Sequence, residues 1–480
     1  MQWGWLMASV VLVLLAGSAT AAPARPNVIW IVLDDYGWAD SGCYGSTYHE
    51  TPHIDALARR GIRFTNAYAA CPVCSPSRAA LMTGKYPARL HLTDWLPGRK
   101  DRPSQRLLRP SIVQQLPLEE TTIAELLRPA GYATASLGKW HLGGPSFWPE
   151  HQGFDVNIGG TATGSPPGGY FRFNTPSMKA RDDREYLTDR LTDEAIGFVE
   201  KNRDRPFFLY LAHYAVHIPL QARPDLVEVY RARPIKGSPQ HNPIYAAMIR
   251  SVDDGIGRLV QSLERLGLDD RTVIFLTSDN GGLSVKEGPN TPSTSNSPLR
   301  AGKGYLYEGG LREPMIVIWP GVTRPGSTSD VPVSGQDFLP TTCQIAGIAP
   351  PSENSIDGES LVPLLRGTGK PRREALFWHY PHYSNQGGKP GGAVRMGDLK
   401  LIEWYEDHRV ELYDLASDPS ESRDLAPNRP ADVDRLRSML ARWRESVGAQ
   451  MMTPNSEYRG LGAVTPPKSH VREPGDNAGR

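Results

Sequence analysis

The stretch Asn27-Val28-Ile29-Trp30-Ile31-Val32-Leu33, which runs directly into Asp34-Asp35, decides the predicted fold. Its apolar residues follow one another without polar alternation, as in a parallel strand that is covered on both faces. The two carboxylates then stand at the carboxyl end of the strand, where open α/β sheets form their ligand sites. The stretch therefore predicts a buried strand with a polar site at its tip.

Strand-like and helix-like segments alternate from this stretch to about residue 350. Thr51-Pro52 starts a helix that Gly61 ends, and Thr122 with Glu125 forms a capping-box pattern. The alternation predicts an α/β fold around a mostly parallel sheet flanked by helices, and the lack of internal repeats excludes solenoids and propellers. Further strands are predicted at 132–137, 207–212, 272–277 and 315–319, and long helices at 188–201 and 243–266.

The pattern changes after about Pro350. A glycine-rich loop at 387–392 precedes a hairpin pair at 394–404 and 410–415 and a helix at 431–447. This order predicts a small C-terminal α+β domain with an antiparallel sheet. The predicted division is a signal peptide at 1–22, a large catalytic domain at 23–365, the small domain at 366–450, and a tail without regular structure at 451–480.

The overall charge is nearly balanced. The chain of 480 residues has 53 basic and 52 acidic side chains and a formal net charge of +1. Such a chain has no global field that attracts nucleic acid or an anionic membrane. We therefore expect no nucleic-acid partner, and any anion site has to be built locally.

The N-terminus resembles a secretory signal. An apolar run at 5–17 is followed by small residues, with cleavage expected after Ala21 or Ala22. The run is too short to span a bilayer, which needs about 20 residues. No Lys or Arg precedes it, which leaves an uncleaved anchor as the alternative. The signal predicts an extracytoplasmic protein, periplasmic or secreted, without stable membrane insertion after signal removal.

Oxygen-bearing side chains follow two of the predicted strands. Asp34 and Asp35 follow the first strand, and Asp279 and Asn280 follow the strand at 272–277. Their oxygens suit a hard divalent cation. The run from Asp279 to Gly282 alone is also typical of a simple turn. The pairing of the two strand ends favours a metal site.

Basic and proton-carrying residues recur at comparable positions. Lys139 and His141 follow the strand at 132–137, His217 follows that at 207–212, and Lys303 precedes Glu308-Gly309-Gly310. Together with Arg78, these side chains are able to hold a tetrahedral anion and to shuttle protons.

The chain has four cysteines, Cys43, Cys71, Cys74 and Cys343, which are too few for a disulfide scaffold. Cys71 and Cys74 have Cys-x-x-Cys spacing, so a redox pair is one interpretation. A thioredoxin-like pair would need a short βαβ domain, and the long α/β pattern argues against it.

The run Cys74-Ser75-Pro76-Ser77-Arg78, with Thr83-Gly84-Lys85 after it, resembles the signature of the type I sulfatases of the alkaline-phosphatase-like superfamily. The resemblance covers residues 27 to about 450. It implies that Cys74 is converted to formylglycine by a formylglycine-generating or maturase enzyme that acts on the unfolded chain. It also implies one calcium ion, or magnesium, held by Asp34, Asp35, Cys74, Asp279 and Asn280.

The same resemblance implies roles for the basic residues. Formylglycine 74 would be a geminal diol that attacks sulfur, with Arg78 stabilising it. Lys139, His217 and Lys303 would bind sulfate oxygens, and His217 or Lys303 would protonate the departing alcohol. His141 would take the proton of the second hydroxyl and drive sulfate release.

The implied substrate is a sulfated carbohydrate, with a galactose or N-acetylgalactosamine sulfate as the specific hypothesis. Three other functions stay open: a phosphodiester or phosphonate monoester hydrolase of the same superfamily, the redox protein, and an inactive binding module. Candidate substrate contacts lie in polar and aromatic segments of the chain, and they are Asp94, Trp95, His151, His213, His382 and Arg395.

Overall fold

The computed structural model describes residues 25–235, 237–352 and 355–459. The predicted signal peptide and most of the predicted tail lie outside these residues. No helix in the described ranges has the length and apolar character needed to cross a membrane. The strands are β1 (Asn27–Leu33), β2 (Ile62–Tyr68), β3 (Leu107–Leu108), β4 (Ala133–Gly138), β5 (Val156–Ile158), β6 (Asn174–Thr175), β7 (Met178–Lys179), β8 (Phe207–Ala212), β9 (Thr272–Ser278), β10 (Arg312–Ile318), β11 (Ser327–Ser329), β12 (Val333–Ser334), β13 (Ala375–Tyr380), β14 (Gly391–Met396), β15 (Leu399–Trp404), β16 (Val410–Asp414) and β17 (Thr453–Pro454).

The helices connect most of these strands. Predicted and observed ends of the long helices agree to within about one residue, and for the helix Pro243–Arg265 the cap Asn242 and Pro243 mark the start. The helices are α1 (Pro52–Arg60), α2 (Cys74–Thr83), α3 (Pro87–Leu90), α4 (Ile123–Leu127), α5 (Leu187–Lys201), α6 (Pro224–Ala232), α7 (Pro243–Arg265), α8 (Glu308–Leu311), α9 (Phe338–Ile345), α10 (Val362–Leu365) and α11 (Pro430–Ser446).

A nine-stranded sheet forms the centre of the large domain, in the order β11-β2-β10-β9-β1-β8-β4-β5, with β12 also paired to β2. Strand β1 is parallel to both of its neighbours, β8 and β9. Strand β10 runs antiparallel to β9 and β2. The predicted mostly parallel α/β fold is therefore confirmed.

Side chains of β1 alternate between two separate cores. Ile29, Ile31 and Leu33 pack in the core that contains α5 and α7, whereas Val28, Trp30 and Val32 pack in the core with α2, α4 and α9. All of these β1 side chains are buried. Because both faces of the strand are covered, its sequence is apolar at every position from Val28 to Leu33.

The C-terminal sheet is antiparallel, as predicted, and has the order β13-β14-β15-β16. The sequence did not predict β13, and the run 394–404 is two strands, β14 and β15. The chain turns between them at Gly397, which has a φ of 59°. Periodicity alone does not show this break, because apolar residues continue on both sides of the turn.

The start of the predicted tail has regular structure. Strand β17 pairs antiparallel with β3. Asn455 donates its backbone N–H to the carbonyl of Arg106 at 2.9 Å. Residues 451–459 therefore lie against the large domain, contrary to the prediction of a tail without structure over this part.

A buried ionic cluster lies between the C-terminal sheet and the segment that precedes β10. The ammonium of Lys400 on β15 lies 2.9 Å from Glu308 Oε1 and 2.9 Å from Glu421 Oε1, and all three side chains are fully buried. Glu308 begins α8, and Glu421 also accepts the backbone N–H of Glu308 at 2.6 Å. The cluster thus connects the C-terminal sheet to the loop that carries Lys303.

Replacing Lys400 with methionine is expected to lower the free energy of unfolding by about 3–5 kcal/mol, because Glu421 would stay buried without a cation and Glu308 would keep only Arg312. Urea unfolding followed by circular dichroism measures the change. Lys370→Met, at an exposed lysine, is the matched control. A loss below about 1 kcal/mol for Lys400→Met, the size typical of a surface pair, would contradict this prediction.

Candidate active site

Cys74 is the first residue of α2 and is buried. The turn before it is held by Ser77, whose hydroxyl donates to the carbonyl of Cys71 at 2.8 Å and accepts the backbone N–H of Cys71 at 3.1 Å. Free backbone N–H groups at a helix start favour negative charge there. The local sequence therefore places the side chain of residue 74 at an electropositive helix end.

His141 is the direct partner of Cys74. Its Nδ1 lies 3.4 Å from Cys74 Sγ, and its Nε2 lies 2.7 Å from the carbonyl oxygen of Leu96. Since a carbonyl only accepts, the proton of the neutral ring sits on Nε2, and Nδ1 is free to accept. Burial, together with the charge of Lys139, holds the pKa of His141 well below its usual value.

The acidic side chains meet because β1 and β9 are parallel neighbours with Leu33 in register with Ser278. Asp35 donates its backbone N–H to Asp279 Oδ1 at 3.2 Å. Asn280 donates its side-chain amide to Asp35 Oδ1 at 2.8 Å. The structure thus brings together Asp34, Asp35, Asp279 and Asn280, as the two strand ends predicted.

Each of the three carboxylates has its own basic partner. Lys139 Nζ lies 2.7 Å from Asp34 Oδ2, and Lys303 Nζ lies 2.8 Å from Asp35 Oδ2. Arg78 contacts Asp279 Oδ2 through Nε, also at 2.8 Å. These predicted basic residues therefore surround the acidic cluster and balance its charge.

Burial and neighbouring charges shift the carboxylates in opposite directions. Burial and the nearby Asp279 raise the pKa of Asp34 to about 8. Burial also acts to raise the pKa of Asp35, but Lys303, His217 and Lys139 together lower it below its usual range. Asp34 is therefore the carboxylate whose charge is least stabilised, because it is buried beside Asp279, and an added divalent cation would stabilise it.

Two buried oxygens of this cluster have no hydrogen-bond partner in the described part of the chain. They are Asp34 Oδ1 and Asn280 Oδ1. Buried polar oxygens are nearly always paired, so an unpaired set of carboxylate and amide oxygens fits a bound cation. This donor set has the chemistry of a site for a hard divalent cation.

His217 also reaches the cluster. Its Nε2 lies 3.7 Å from Asp35 Oδ2, and its Nδ1 lies 2.6 Å from the carbonyl oxygen of Ile218. Asp34, Asp35 and His217 offer ligand atoms within 4.8 Å of one another. Burial and Lys303 hold the pKa of His217 well below its usual value, so the neutral ring presents Nε2 as an acceptor toward the site.

A cleft of about 230 Å³ reaches the acidic cluster at Cys74, His217 and Lys303. Its walls come from the large domain and from the loop before β14. The lining residues are Val73, Cys74, Trp95, Leu96, His141, Gly164, Ser165, His217, Ile218, Glu287, Lys303, Asn385 and Gln386. A larger groove of about 640 Å³, lined in part by Pro340, Gln344 and Arg372, contains none of the predicted site residues.

Of the six predicted substrate contacts, only Trp95 lines the cleft. Asp94 is buried behind it and accepts the backbone N–H of Trp95 at 2.9 Å and the hydroxyl of Tyr380 at 3.0 Å. His382 Nε2 lies 2.8 Å from the hydroxyl oxygen of Thr93. Asp94 and His382 therefore hold the loop that carries Trp95, and they do not face the cleft.

The remaining three contacts also lie away from the cleft lining. His151 is exposed at the end of a short 3-10 helix, and His213 is fully buried at the end of β8. Arg395 is buried on β14 and donates to the hydroxyl of Tyr68. Aromatic and basic composition suggested these positions, but composition does not show which face of an element a side chain occupies.

Four lining residues carry no motif that would have identified them: Gly164, Ser165, Glu287 and Gln386. Gln386 lies in the glycine-rich region before β14, the one sequence signal near any of them. The other three come from loops without periodicity or recognisable spacing.

The Cys71 thiol contacts a backbone carbonyl and forms no disulfide with Cys74. Its sulfur lies 3.9 Å from the carbonyl oxygen of Thr93, and all four cysteines are free thiols. Burial raises the pKa of both Cys71 and Cys74, which does not suit a reactive dithiol. The geometry therefore does not support the redox interpretation.

Comparisons with known proteins agree with this geometry. Residues 26–348 match the Sulfatase family, and residues 301–445 match the family described as N-sulphoglucosamine sulphohydrolase, C-terminal. The chain is 36% identical to N-acetylgalactosamine-6-sulfatase of Canis lupus familiaris over 422 residues, which cover 84% of this chain and 76% of the relative. It is 35% identical to arylsulfatase A of Homo sapiens, with 87% of this chain and 86% of the relative covered.

Two solved structures are similar to this chain over most of its length. The crystal structure of Ps i-CgsB in complex with k-i-k-neocarrahexaose has a TM-score of 0.75 and 32% identity, covering 89% of this chain and 94% of that one. A protein solved in complex with its substrate D-glucosamine-2-N,6-O-disulfate has a TM-score of 0.67 and 25% identity, covering 88% and 98%.

Proposed function

The chain belongs to the sulfatase family and is a sulfuric ester hydrolase, and we propose that it acts on a sulfated carbohydrate through a formylglycine made from Cys74. The observation that carries this proposal is the position of residue 74. It starts a helix at the floor of the cleft, beside a neutral histidine acceptor and within the charged cluster. Formylglycine would supply a hydrated aldehyde as the nucleophile for the sulfate ester.

Asp34, Asp35, Asp279 and Asn280 would hold a divalent cation, for which we propose calcium, with magnesium as the alternative. Residue 74 would complete the ligand set. The unpaired oxygens of Asp34 and Asn280 support this assignment. The cation would supply a Lewis acid that polarises a sulfate oxygen.

The basic residues would position the sulfate group. Lys139 and Lys303 carry ammonium groups next to Asp34 and Asp35, and each has further donors for sulfate oxygens. Arg78 donates to Asp279 and to the carbonyl of Lys139, so it connects the segment after β9 with the segment after β4. Lys303 would protonate the leaving alcohol, because its ammonium carries the proton, whereas Nε2 of the neutral His217 carries none.

His141 would accept a proton at Nδ1. Its Nε2 proton is held by the carbonyl of Leu96, and its lowered pKa keeps the ring neutral and ready to accept. A base in this position can take the proton of the second hydroxyl of residue 74, which releases sulfate and restores the aldehyde. A serine at this position has no second hydroxyl, so the reaction would stop at the sulfate ester of the serine.

Gly164 leaves the space that the ring of His141 occupies. A Cβ at position 164 would lie 2.6 Å from His141 Cε1 and 3.0 Å from Nδ1. Gly164→Ala is therefore expected to lower kcat by about 10- to 100-fold through displacement of the ring. Steady-state kinetics with an aryl sulfate measures the loss.

Gly144→Ala is the matched control, because a Cβ there meets nothing within 4 Å. Melting temperatures of both variants separate a local displacement from general destabilisation. Unchanged kcat in Gly164→Ala would show that His141 tolerates the added methyl group and is not positioned by this contact.

A carbohydrate substrate is supported by the neighbouring structures, which were solved with a neocarrahexaose and with a disulfated glucosamine. The relative named N-acetylgalactosamine-6-sulfatase supports a galactose or N-acetylgalactosamine sulfate. We further propose an extracytoplasmic location, periplasmic or secreted, a maturase that modifies Cys74 before folding, and domains at 23–365 and 366–450.

Two assays test the proposed function. Sulfate release is measured on a panel of sulfated mono- and oligosaccharides, with formylglycine content known from mass spectrometry. An aryl sulfate and an aryl phosphodiester are then compared on the same preparation. Faster phosphodiester hydrolysis would favour the phosphodiesterase alternative, and no turnover by fully modified protein would favour an inactive binding module.

A further inference from the structure

One wall of the cleft is formed by two side chains that are distant in sequence. The side-chain amide of Gln386 donates to Glu287 Oε2 at 2.5 Å, and both residues line the cleft with Cys74 and Lys303. Glu287 lies in the loop after β9, whereas Gln386 lies in the loop before β14. The pair therefore closes the cleft between the large domain and the C-terminal sheet.

This wall is fixed in place beside Lys303. Tyr305 donates its hydroxyl to the carbonyl of Gln386 at 2.7 Å. At Gly304, which has a φ of 82°, an added Cβ would lie 2.5 Å from Gln386 Oε1, so the two loops approach as closely as glycine allows. On the other side of the pair, Glu287 donates its backbone N–H to the hydroxyl of Thr291 at 2.7 Å.

Glu287 brings an uncompensated negative charge to this wall. It is the one carboxylate on the lining of the cleft among the described residues. No Lys or Arg of the described ranges forms an ion pair with it, and the amide of Gln386 is the single side-chain donor to it. A carboxylate accepts about four hydrogen bonds, so most of its capacity stays available to a ligand.

We infer that Glu287, held by Gln386, selects the alcohol part of the substrate. It accepts hydrogen bonds from hydroxyl or amide N–H groups of the sugar next to the sulfate ester, and it repels a second sulfate or a carboxylate at that place. The substrate class is then a singly sulfated, otherwise uncharged sugar residue. This inference rests on the proposed function, because it concerns the alcohol of the same ester.

Two like charges that are held close together disfavour binding more strongly than the loss of one contact does. A carboxylate at position 287 therefore discriminates strongly against a second anionic group on the sugar. The sulfate subsite contains Lys139 and Lys303, which attract any sulfated molecule. A negative wall beside it distinguishes singly from multiply sulfated sugars. Trp95 is the aromatic residue on the lining of the same cleft.

The test uses the full chain with formylglycine at residue 74 and three substrates. They are 4-nitrophenyl sulfate, galactose 6-sulfate and galactose 4,6-disulfate. The selectivity is the ratio of kcat/KM for galactose 6-sulfate to kcat/KM for the disulfate. We expect a ratio of at least about 10 for the unaltered protein and a fall of about 10-fold in Glu287→Gln, which keeps the shape and removes the charge.

A second variant adds charge to the wall. Gln386→Glu is expected to raise the ratio, because a second carboxylate increases the negative charge of the wall even though repulsion ends the present contact with Glu287. Glu228→Gln, the same substitution at an exposed glutamate on α6, is the control and is expected to keep the original ratio. Melting temperatures show whether each variant is folded.

The outcomes distinguish failure of the inference about Glu287 from failure of the proposed sulfatase function. If 4-nitrophenyl sulfate is hydrolysed and neither Glu287→Gln nor Gln386→Glu changes the ratio, the inference is overturned while the sulfatase proposal stands. If the modified protein releases sulfate from none of the three substrates, both are overturned. A ratio that falls in Glu287→Gln and rises in Gln386→Glu supports the inference.

Discussion

Cys74→Ser is expected to reduce sulfate release by at least about 10³-fold, and Cys74→Ala by a similar factor, because removal of a covalent nucleophile costs most of the catalysed rate. The serine hydroxyl has the same position at the start of α2, next to His141 Nδ1. It could form a sulfate ester, but His141 would find no second hydroxyl proton to take. Initial rates of sulfate release measure the loss.

The chemical state of residue 74 is read from the mass of the peptide that contains it. Conversion to formylglycine lowers the mass by about 18 Da, whereas a disulfide to Cys71 would lower the pair by about 2 Da and reverse with reductant. Cys71→Ser is the matched control and is expected to keep sulfate release, because Cys71 faces the carbonyl of Thr93. Equal losses in Cys71→Ser and Cys74→Ser would favour a redox pair over a single nucleophile.

The sequence predicted those parts of the site that lie at strand ends or in the cysteine signature. Asp34 and Asp279 follow apolar strands, and the parallel pairing of β1 with β9 brings these two positions together. The cysteine signature identified Cys74 and Arg78, but the sequence did not predict the helix α2 on which both lie. For these residues, the short stretch that contains them was enough to identify them.

Residues of the cleft wall could not be predicted in the same way. Glu287 and Gln386 meet through a contact between two loops that are 99 positions apart. Asp94 and His382 have the composition of substrate contacts, yet tertiary packing uses them to hold the Trp95 loop. Strand β13 was missed for a similar reason, since its place in the C-terminal sheet depends on pairing with β14.

Removal of the divalent cation is expected to abolish turnover and to lower the melting temperature of the protein. In the variant Asp34→Asn, addition of the cation is expected to leave the melting temperature unchanged. Asp34 Oδ1 is buried without a partner, while Oδ2 accepts from Lys139 at 2.7 Å. A cation at about 100 times its Kd stabilises the folded state by about 2.7 kcal/mol, and the variant should lose most of this gain. Thermal unfolding with and without calcium, after treatment with a chelator, measures it.

Asp34→Asn also leaves the buried ammonium of Lys139 without its carboxylate, so part of its lower stability has nothing to do with metal. Asp337→Asn provides the matched control, because Asp337 is equally buried and pairs with Arg373 at 2.6 Å, apart from the site. We expect both variants to melt earlier than the unaltered protein. Only Asp34→Asn should lose the calcium-dependent shift and at least about 100-fold of turnover. If calcium stabilised Asp34→Asn as much as the unaltered protein, the cation would have to bind without this carboxylate, and the unpaired oxygen of Asp34 would need another explanation.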